Sequence, residues 1–131
     1  MVICWCKNLE EEAQLNFLLR ELMNSVDGME SAALVSREGL IVSSILSENL
    51  SEMHIAAMSA IILSTCERVL MELQKGELDI SIIQGTDGKF LIMGSGDDYI
   101  IASVLDADAR MDLAFVNMRK TANRIMDILE D

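Results

Sequence analysis

An α+β domain in the order α-β-β-α-β-β-β-α is the architecture the sequence predicts, on three observations. Segments starting at Asn8 and Ala109 repeat apolar residues at helical spacing, and a longer one from Ser51 to Lys75 is apolar on nearly every side. Five short runs rich in Ile, Val and Leu lie between them, each bounded by Gly, Asp or Ser. No linker, repeat or proline interrupts the chain, so its 131 residues read as one domain, 1–131.

The first helix opens with Asn8 as N-cap and Glu11 three residues on, then sets Leu15, Leu18, Leu19 and Leu22 at helical spacing before Asp27-Gly28. "SAALVS" and "LIVSSI" follow as a hairpin joined by Arg37-Glu38-Gly39, with glycine where a left-handed residue is needed. Ser51 caps the long helix, Glu52 suits the positive end of its dipole, and Gly76 stops it. "LDISIIQ", "KFLIM" and "YIIASVL" form a meander through Gly85-Thr86-Asp87-Gly88 and Gly94-Ser95-Gly96-Asp97-Asp98. Asp108 is positioned to cap a last helix carrying Met111, Ala114, Met118, Ala122, Ile125 and Leu129.

Burial pattern orders the strands. "AALV" and "YIIASVL" are nearly continuous apolar runs, as central strands covered on both faces require, whereas "LDISI" alternates. The first and fifth strands therefore belong inside the sheet and the third at an edge. That edge, with Leu78, Ile80, Ile82 and Ile83 and a single charge, is poorly guarded against pairing with another chain.

The long helix contains "IAAMSAIILSTC", residues 55 to 66, without a formal charge. The stretch is too short to span a bilayer, which takes about 20 apolar residues. Ile55, Met58, Ile62, Cys66, Val69 and Leu73 fall on one face, a stripe suited to packing on a sheet. Ala56, Leu63 and Leu70 lie on a flank, and Met53, Ala57, Ala60, Ser64 and Met71 lie opposite the stripe. A helix apolar nearly all round must be covered nearly all round, and a domain this small cannot do so alone. The helix and the edge strand that follows it thus point to one interface with a second chain, formed by Ala56, Ala60, Leu63, Leu70, Leu78, Ile80 and Ile82.

Composition and chemistry exclude several function classes. The net charge of −12, with ten Lys and Arg, argues against nucleic acid and anionic membrane surfaces, which need a basic footprint. Three cysteines without a secretory signal argue against a disulfide framework and for a reducing, cytoplasmic setting. The initial "MVICWC", within a leader of residues 1–7, lacks a basic region and cleavage site and reads as mature sequence of open role. The only histidine, His54, lies in the first turn of the long helix, so no catalytic triad is expected. Cys4 and Cys6 lack both zinc-type spacing and a second ligand pair, and "GSGDD" lacks the Lys-Ser/Thr and helix start of a phosphate cradle. No catalytic residue, metal site or cofactor is expected. Asp97, Asp98, Asp106 and Asp108 read as turn formers and caps, and Arg37 as a solvated turn charge.

The runs "GMESAALVSREGLIVSS", "HIAAMSAIILSTCERVLMELQKGEL" and "IIQGTDGKFLIM" together resemble the Roadblock/dynein light chain domain family, of the MglB-like prokaryotic type, over Leu15 to Leu129. The resemblance implies a five-stranded antiparallel sheet with the long helix on one face and the other two helices on the opposite one. It also implies a homodimer, or a heterodimer with another Roadblock-type chain, through the long helix and the third strand. The leader has no counterpart in the pattern.

Family members commonly bind Ras-like small GTPases, so the implied function is a non-enzymatic dimeric regulator or scaffold of such a GTPase. The alternative is a passive dimeric adaptor in a larger assembly. Members that activate GTPases do so without an arginine finger, a device otherwise worth 10³ to 10⁵ in rate. The shallow outer side of the long helix, with Met53, Ala57, Ser64, Arg68 and Met71, is the expected partner-binding platform.

Overall fold

The computed structural model describes the backbone of residues 2–129 and the side chains of residues 9–129. Its elements are α1 (Val2–Ser25), β1 (Met29–Ser36), β2 (Ile41–Ile45), α2 (Glu52–Glu72), β3 (Ser81–Gln84), β4 (Gly88–Ser95), β5 (Tyr99–Asp106) and α3 (Met111–Leu129). The strands form one antiparallel sheet in the order β2-β1-β5-β4-β3. Strands β1 and β5 lie inside and β3 at an edge, as their apolar patterns require, and β4 joins them in the interior.

Two cores clothe the sheet. On one face Leu15, Leu19 and Leu22 of α1 and Met118 and Ile125 of α3 close over Leu34, Leu91, Ile101 and Leu105. On the other, α2 alone brings Ile55, Ala56 and Leu63 onto Ala33, Val35, Ile92 and Ile100. Neighbouring residues Ile100 and Ile101 serve opposite cores, which is why β5 has no polar alternation to show.

The helix ends hold three corrections. Asn8 does not cap α1, which runs back through it to Val2, since no Gly or Pro in that stretch interrupts a helix. Side chains of the leader, Cys4-Trp5-Cys6 included, fall outside the described residues. Ser51 does cap α2, accepting from the His54 amide at 3.3 Å, but the helix stops at Glu72 rather than Lys75. There Gln74 takes φ 55° and Lys75 N–H turns back to Leu70 O at 2.9 Å, a left-handed termination. Asp108 does not cap α3: its amide donates to Asp106 Oδ1 at 3.0 Å, and the helix begins at Met111. The first turn of α3 carries Asp112, whose carboxyl is held below its ordinary pKa chiefly by the Arg110 hydrogen bond, while the Arg110 guanidinium is raised in turn. An ionised Asp112 suits the positive end of the helix dipole.

The β1–β2 turn closes through Ser36 N–H to Leu40 O at 2.8 Å and Gly39 N–H to Ser36 O at 3.0 Å, with Gly39 at φ 92°. Beyond it the register slips: Leu34 faces Ser43 but Val35 faces Ile41, so Val42 is an extra residue, a bulge in the β2 edge. At the other end of the sheet Gly28, φ 91°, lets the α1–β1 turn abut the β5–α3 turn. A Cβ there would lie 2.8 Å from Asp106 Oδ1 and 2.9 Å from Ala109 Cβ.

One polar group sits badly in this frame. Ser59 is fully buried between α2 and the sheet, and its hydroxyl has no partner. Ser59→Ala is therefore expected to leave stability unchanged or raise it by up to about 1 kcal/mol. Leu63→Ala, in the same row, should cost about 2–5 kcal/mol. Urea denaturation of the two variants measures both.

Candidate interaction surface

Helix α2 is seated differently from the expected stripe. Ile55, Ala56, Ser59 and Leu63 are its buried residues, while Met58, Val69 and Leu73 are half or more exposed. The helix is thus turned about its axis toward Ala56 and Leu63. Both residues were expected on an open flank facing a second chain and instead pack within the protomer's own core. Small Ala56 and Ser59 at the contact let helix and sheet approach closely, a preference that hydrophobic periodicity alone cannot register.

Two contacts fix which way the flanks face. Cys66 Sγ lies 3.3 Å from Ser81 Oγ, so the Cys66 side faces β3. A Cβ on Gly39 would lie 3.6 Å from Ala57 Cα and 3.7 Å from Ala60 Cβ, so the other flank faces the β1–β2 turn. Ala60, expected at the centre of an interface, is therefore half-covered by that turn. Met58 and Val69 lie on the Cys66 side, toward β3, while Ile61, 65% exposed, and Thr65 stand opposite the buried row and point away from the sheet.

Strand β3 continues this apolar edge and departs from expectation at its start. Ile82 and Ile83 are both about half exposed on an unpaired edge. Leu78 and Ile80, expected in the same strand, precede it. Ile80 packs toward the α1/α3 core, but Leu78 turns to the α2 core and Asp79 pairs with Arg119 of α3. The chain thus flips between residues 78 and 80, with Asp79 on the α3 side of the sheet and Leu78 on the α2 side. Arg119 also stacks over Phe115, 4.8 Å from the ring centroid. Where β3 stops short, a cavity of about 660 Å³ opens beside the end of β4, lined by Leu70, Leu78, Met93 and Gly94 among others. Leu70 is half-buried there rather than placed on an outer flank.

The side of α2 that borders the β1–β2 turn holds all five expected platform residues: Met53, 76% exposed, Ala57, Ser64, Arg68 and Met71 are exposed and share one side. Ser64 Oγ donates to Ala60 O at 2.7 Å, which folds the hydroxyl onto the helix and keeps the surface flat. Leu40, 67% exposed at the hairpin turn, was expected as the first residue of the second strand. Only the Gly39 approach to Ala57 brings it beside this surface.

Arg37 is not a solvated turn charge. Its Nη1 donates to Glu67 Oε1 at 2.8 Å and Oε2 at 3.0 Å, and its Nε is buried without a partner. This pair holds the turn on α2, and Arg37 N–H to Asp98 O at 3.0 Å ties it to the turn between β4 and β5. Chemically the surface offers contact rather than reaction. His54 is exposed, and among the described residues no cluster of three His, Cys, Asp or Glu could hold a metal ion. Helix α2 is long and apolar enough by composition to cross a membrane, yet its buried row seats it on the sheet.

Glu67→Gln is expected to cost under about 1 kcal/mol, because both partners are about one-third exposed. It should speed amide exchange at residues 37–40 specifically. Hydrogen exchange resolved by residue tests this, and unchanged turn amides would mean the pair is not what holds the turn.

Comparison with known proteins bears on this geometry. Residues 15–105 match the Roadblock/LC7 domain. An uncharacterised protein of Methanocaldococcus jannaschii is 27% identical over 114 residues, covering 87% of this chain and 95% of its own. Among solved structures, a Roadblock/LC7 domain from Streptomyces avermitilis superposes with a TM-score of 0.83 at 18% identity, over 88% of this chain and 98% of that one. Myxococcus xanthus MglB gives 0.83 at 15% identity, over 89% and 95%. With the match running from the middle of α1 through β1, β2, α2, β3 and β4 to the end of β5, the chain belongs to the Roadblock/LC7 domain family.

Proposed function

We propose that this protein is a non-enzymatic dimeric regulator or scaffold of a Ras-like small GTPase. The observation that carries the reading is the exposed α2: a single helix covers one sheet face and still leaves Met53, Met58, Ile61, Val69 and Met71 open to solvent. The fold shared with MglB supports it at the level of the family. The β3 flank of α2, its outward face and the bare β3 edge form the self-association surface, centred on Met58, Ile61, Val69, Ile82 and Ile83 rather than on Ala56 and Leu63. The second copy is this chain or another Roadblock-type chain.

The hairpin-side platform of Met53, Ala57, Ser64, Arg68 and Met71 then remains free to receive a partner. A flat, sparsely charged surface with flexible methionines repacks against a shape-changing switch region at little desolvation cost. Arg37 is paired with Glu67, and activation by reshaping the partner rather than by an inserted arginine is what the family resemblance implies. The protein itself needs no nucleotide site for this role, and cytoplasmic residence follows from a cytoplasmic partner.

Ile61→Arg is expected to give a monomer by light scattering, since an unpaired charge in a closing interface costs several kcal/mol. Ser64→Glu and Met71→Lys should keep the dimer and weaken capture of a GTP-loaded small GTPase by about 2 kcal/mol if either site is a hot spot. Pull-down with GTP- and GDP-loaded partner, followed by turnover of GTP, reads capture and effect separately. Normal capture with unchanged turnover would make the protein a passive adaptor; unchanged capture by both variants would remove the platform.

A further inference from the structure

Strand β4 outlasts its outer neighbour. Its pairing with β3 ends where Ser81 faces Ile92, while its pairing with β5 continues to Ser95 opposite Tyr99. Peptide groups along an antiparallel strand point alternately to its two sides. Gly88 O points to the β3 side, accepting from Gly85 N–H at 2.8 Å, so the same direction falls to Phe90, Ile92 and Gly94. The Gly94 N–H and C=O thus project past the end of β3, and among the described residues neither is hydrogen-bonded there. Asp79, which would stand opposite Gly94 if β3 continued in register, pairs with Arg119 instead.

Room for a strand lies beside these groups. The link from Gly76 to Asp79 and the end of β4 both line a cavity of about 660 Å³, which also reaches Leu70 of α2 and Ala122 of α3. It is a slot at the sheet edge with a helix on each face. Met93 packs into the α1/α3 core and Leu78 against the α2 core, so both walls are apolar. Gly94 has no side chain to fill the α2 side of the slot; a Cβ there would stand 3.5 Å from Arg37 Nη2, an ordinary contact.

Charge narrows the occupant. The two cations that line the slot are each paired, Arg37 with Glu67 and Arg119 with Asp79. Glu77 and Asp97 also line it, both exposed and without an ion pair among the described residues. The unbalanced charge is therefore negative. We propose that the slot takes an extended peptide segment of another protein, an apolar residue flanked by lysine or arginine, added to β4 as a short strand at Gly94. The central residue exchanges main-chain hydrogen bonds with Gly94, and its side chain falls on the same face, toward Leu70 and Leu78. Basic residues to either side meet Glu77 and Asp97. An acidic segment would set like charges together, and a free anion would find both arginines already matched. The slot lies one strand inward of the outer β3 edge, and the proposal goes beyond the GTPase reading and stands whether or not that reading holds.

NMR titration of the isotopically labelled full chain with the peptide acetyl-Thr-Lys-Thr-Val-Thr-Lys-Thr-amide tests the proposal. Saturable binding is expected at about 10 μM to 1 mM, the weak range that one short strand supplies. Since a chain of net charge −12 attracts any cation, the site is read at Gly94, whose amide should shift and exchange its hydrogen at least tenfold more slowly. The counterpart peptide with Glu in place of both Lys should bind at least tenfold more weakly, and Glu77→Lys with Asp97→Lys should invert that order. Gly94→Leu, which fills the slot, should weaken the basic peptide at least tenfold while circular dichroism stays unchanged. Binding that leaves the Gly94 amide unshifted and unprotected, equal affinity for the two peptides, or unaltered binding by folded Gly94→Leu overturns the proposal. So does a Gly94 amide already protected in the free protein, which would mean that the chain's own link closes on β4. If Gly94→Leu does not fold, the variant with both acids replaced decides: inverted preference supports the slot, and unchanged preference refutes it.

Discussion

One helix must seal a whole face of a five-stranded sheet. The α1/α3 side is closed by two helices and is dry across Leu34, Leu91, Ile101 and Leu105, whereas the α2 side depends on one row, Ile55, Ala56, Ser59 and Leu63. A helix with its side chains is roughly 10–12 Å across, and strands lie about 4.8 Å apart, so one helix covers little more than two strands. Apolar surface is left over on both helix and sheet. Its presence in the protomer follows from this geometry and not from any special feature of α2.

The remainder is not evenly distributed. Toward the β1–β2 turn the gap is filled from within: Gly39 lies against Ala57 and Ala60, and the Arg37–Glu67 pair pins the turn. Toward β3 the described residues do not fill it: Met58 and Val69 are exposed on that side of α2, and Ile83, which shares the α2 face of the sheet with Ser81, is half exposed. The exposed apolar residues toward β3 and the exposed side bordered by the hairpin are thus separate consequences of one seating angle. Residues that hold the turn act on the platform by shaping its border.

Much of this was legible in the sequence. Element order, the inner places of β1 and β5 and the edge place of β3 follow from where apolar runs are continuous and where they alternate. The rotation of α2 was not legible, because its residues are apolar at nearly every phase and the contact was chosen by small Ala56 and Ser59, which hydrophobic spacing ranks low. The short β3 was hidden for a different reason: "LDISI" has perfect strand alternation, but Asp79 is captured by Arg119, forty residues on. Arg37 misled likewise, since its partner Glu67 is distant in sequence. Leu40 was read as the start of the "LIVSSI" strand, whereas β2 begins at Ile41 and leaves Leu40 exposed in the turn. In the other cases the deciding contact was long-range, and the local pattern had nothing to say about it.

The bulge at Val42 gives the sheet a polarity that no core contact requires. An unbroken edge is a template, and β3 is one; β2 is short, kinked by an unopposed residue and bordered by Glu52, which accepts from Ser44 at 3.0 Å. Strand addition is therefore one-ended. Growth by edge pairing consumes its own growth point: once two β3 edges meet, both exposed margins of the joined sheet are blunted β2 strands. Edge pairing of this kind, where it occurs, leaves margins that disfavour further strand addition.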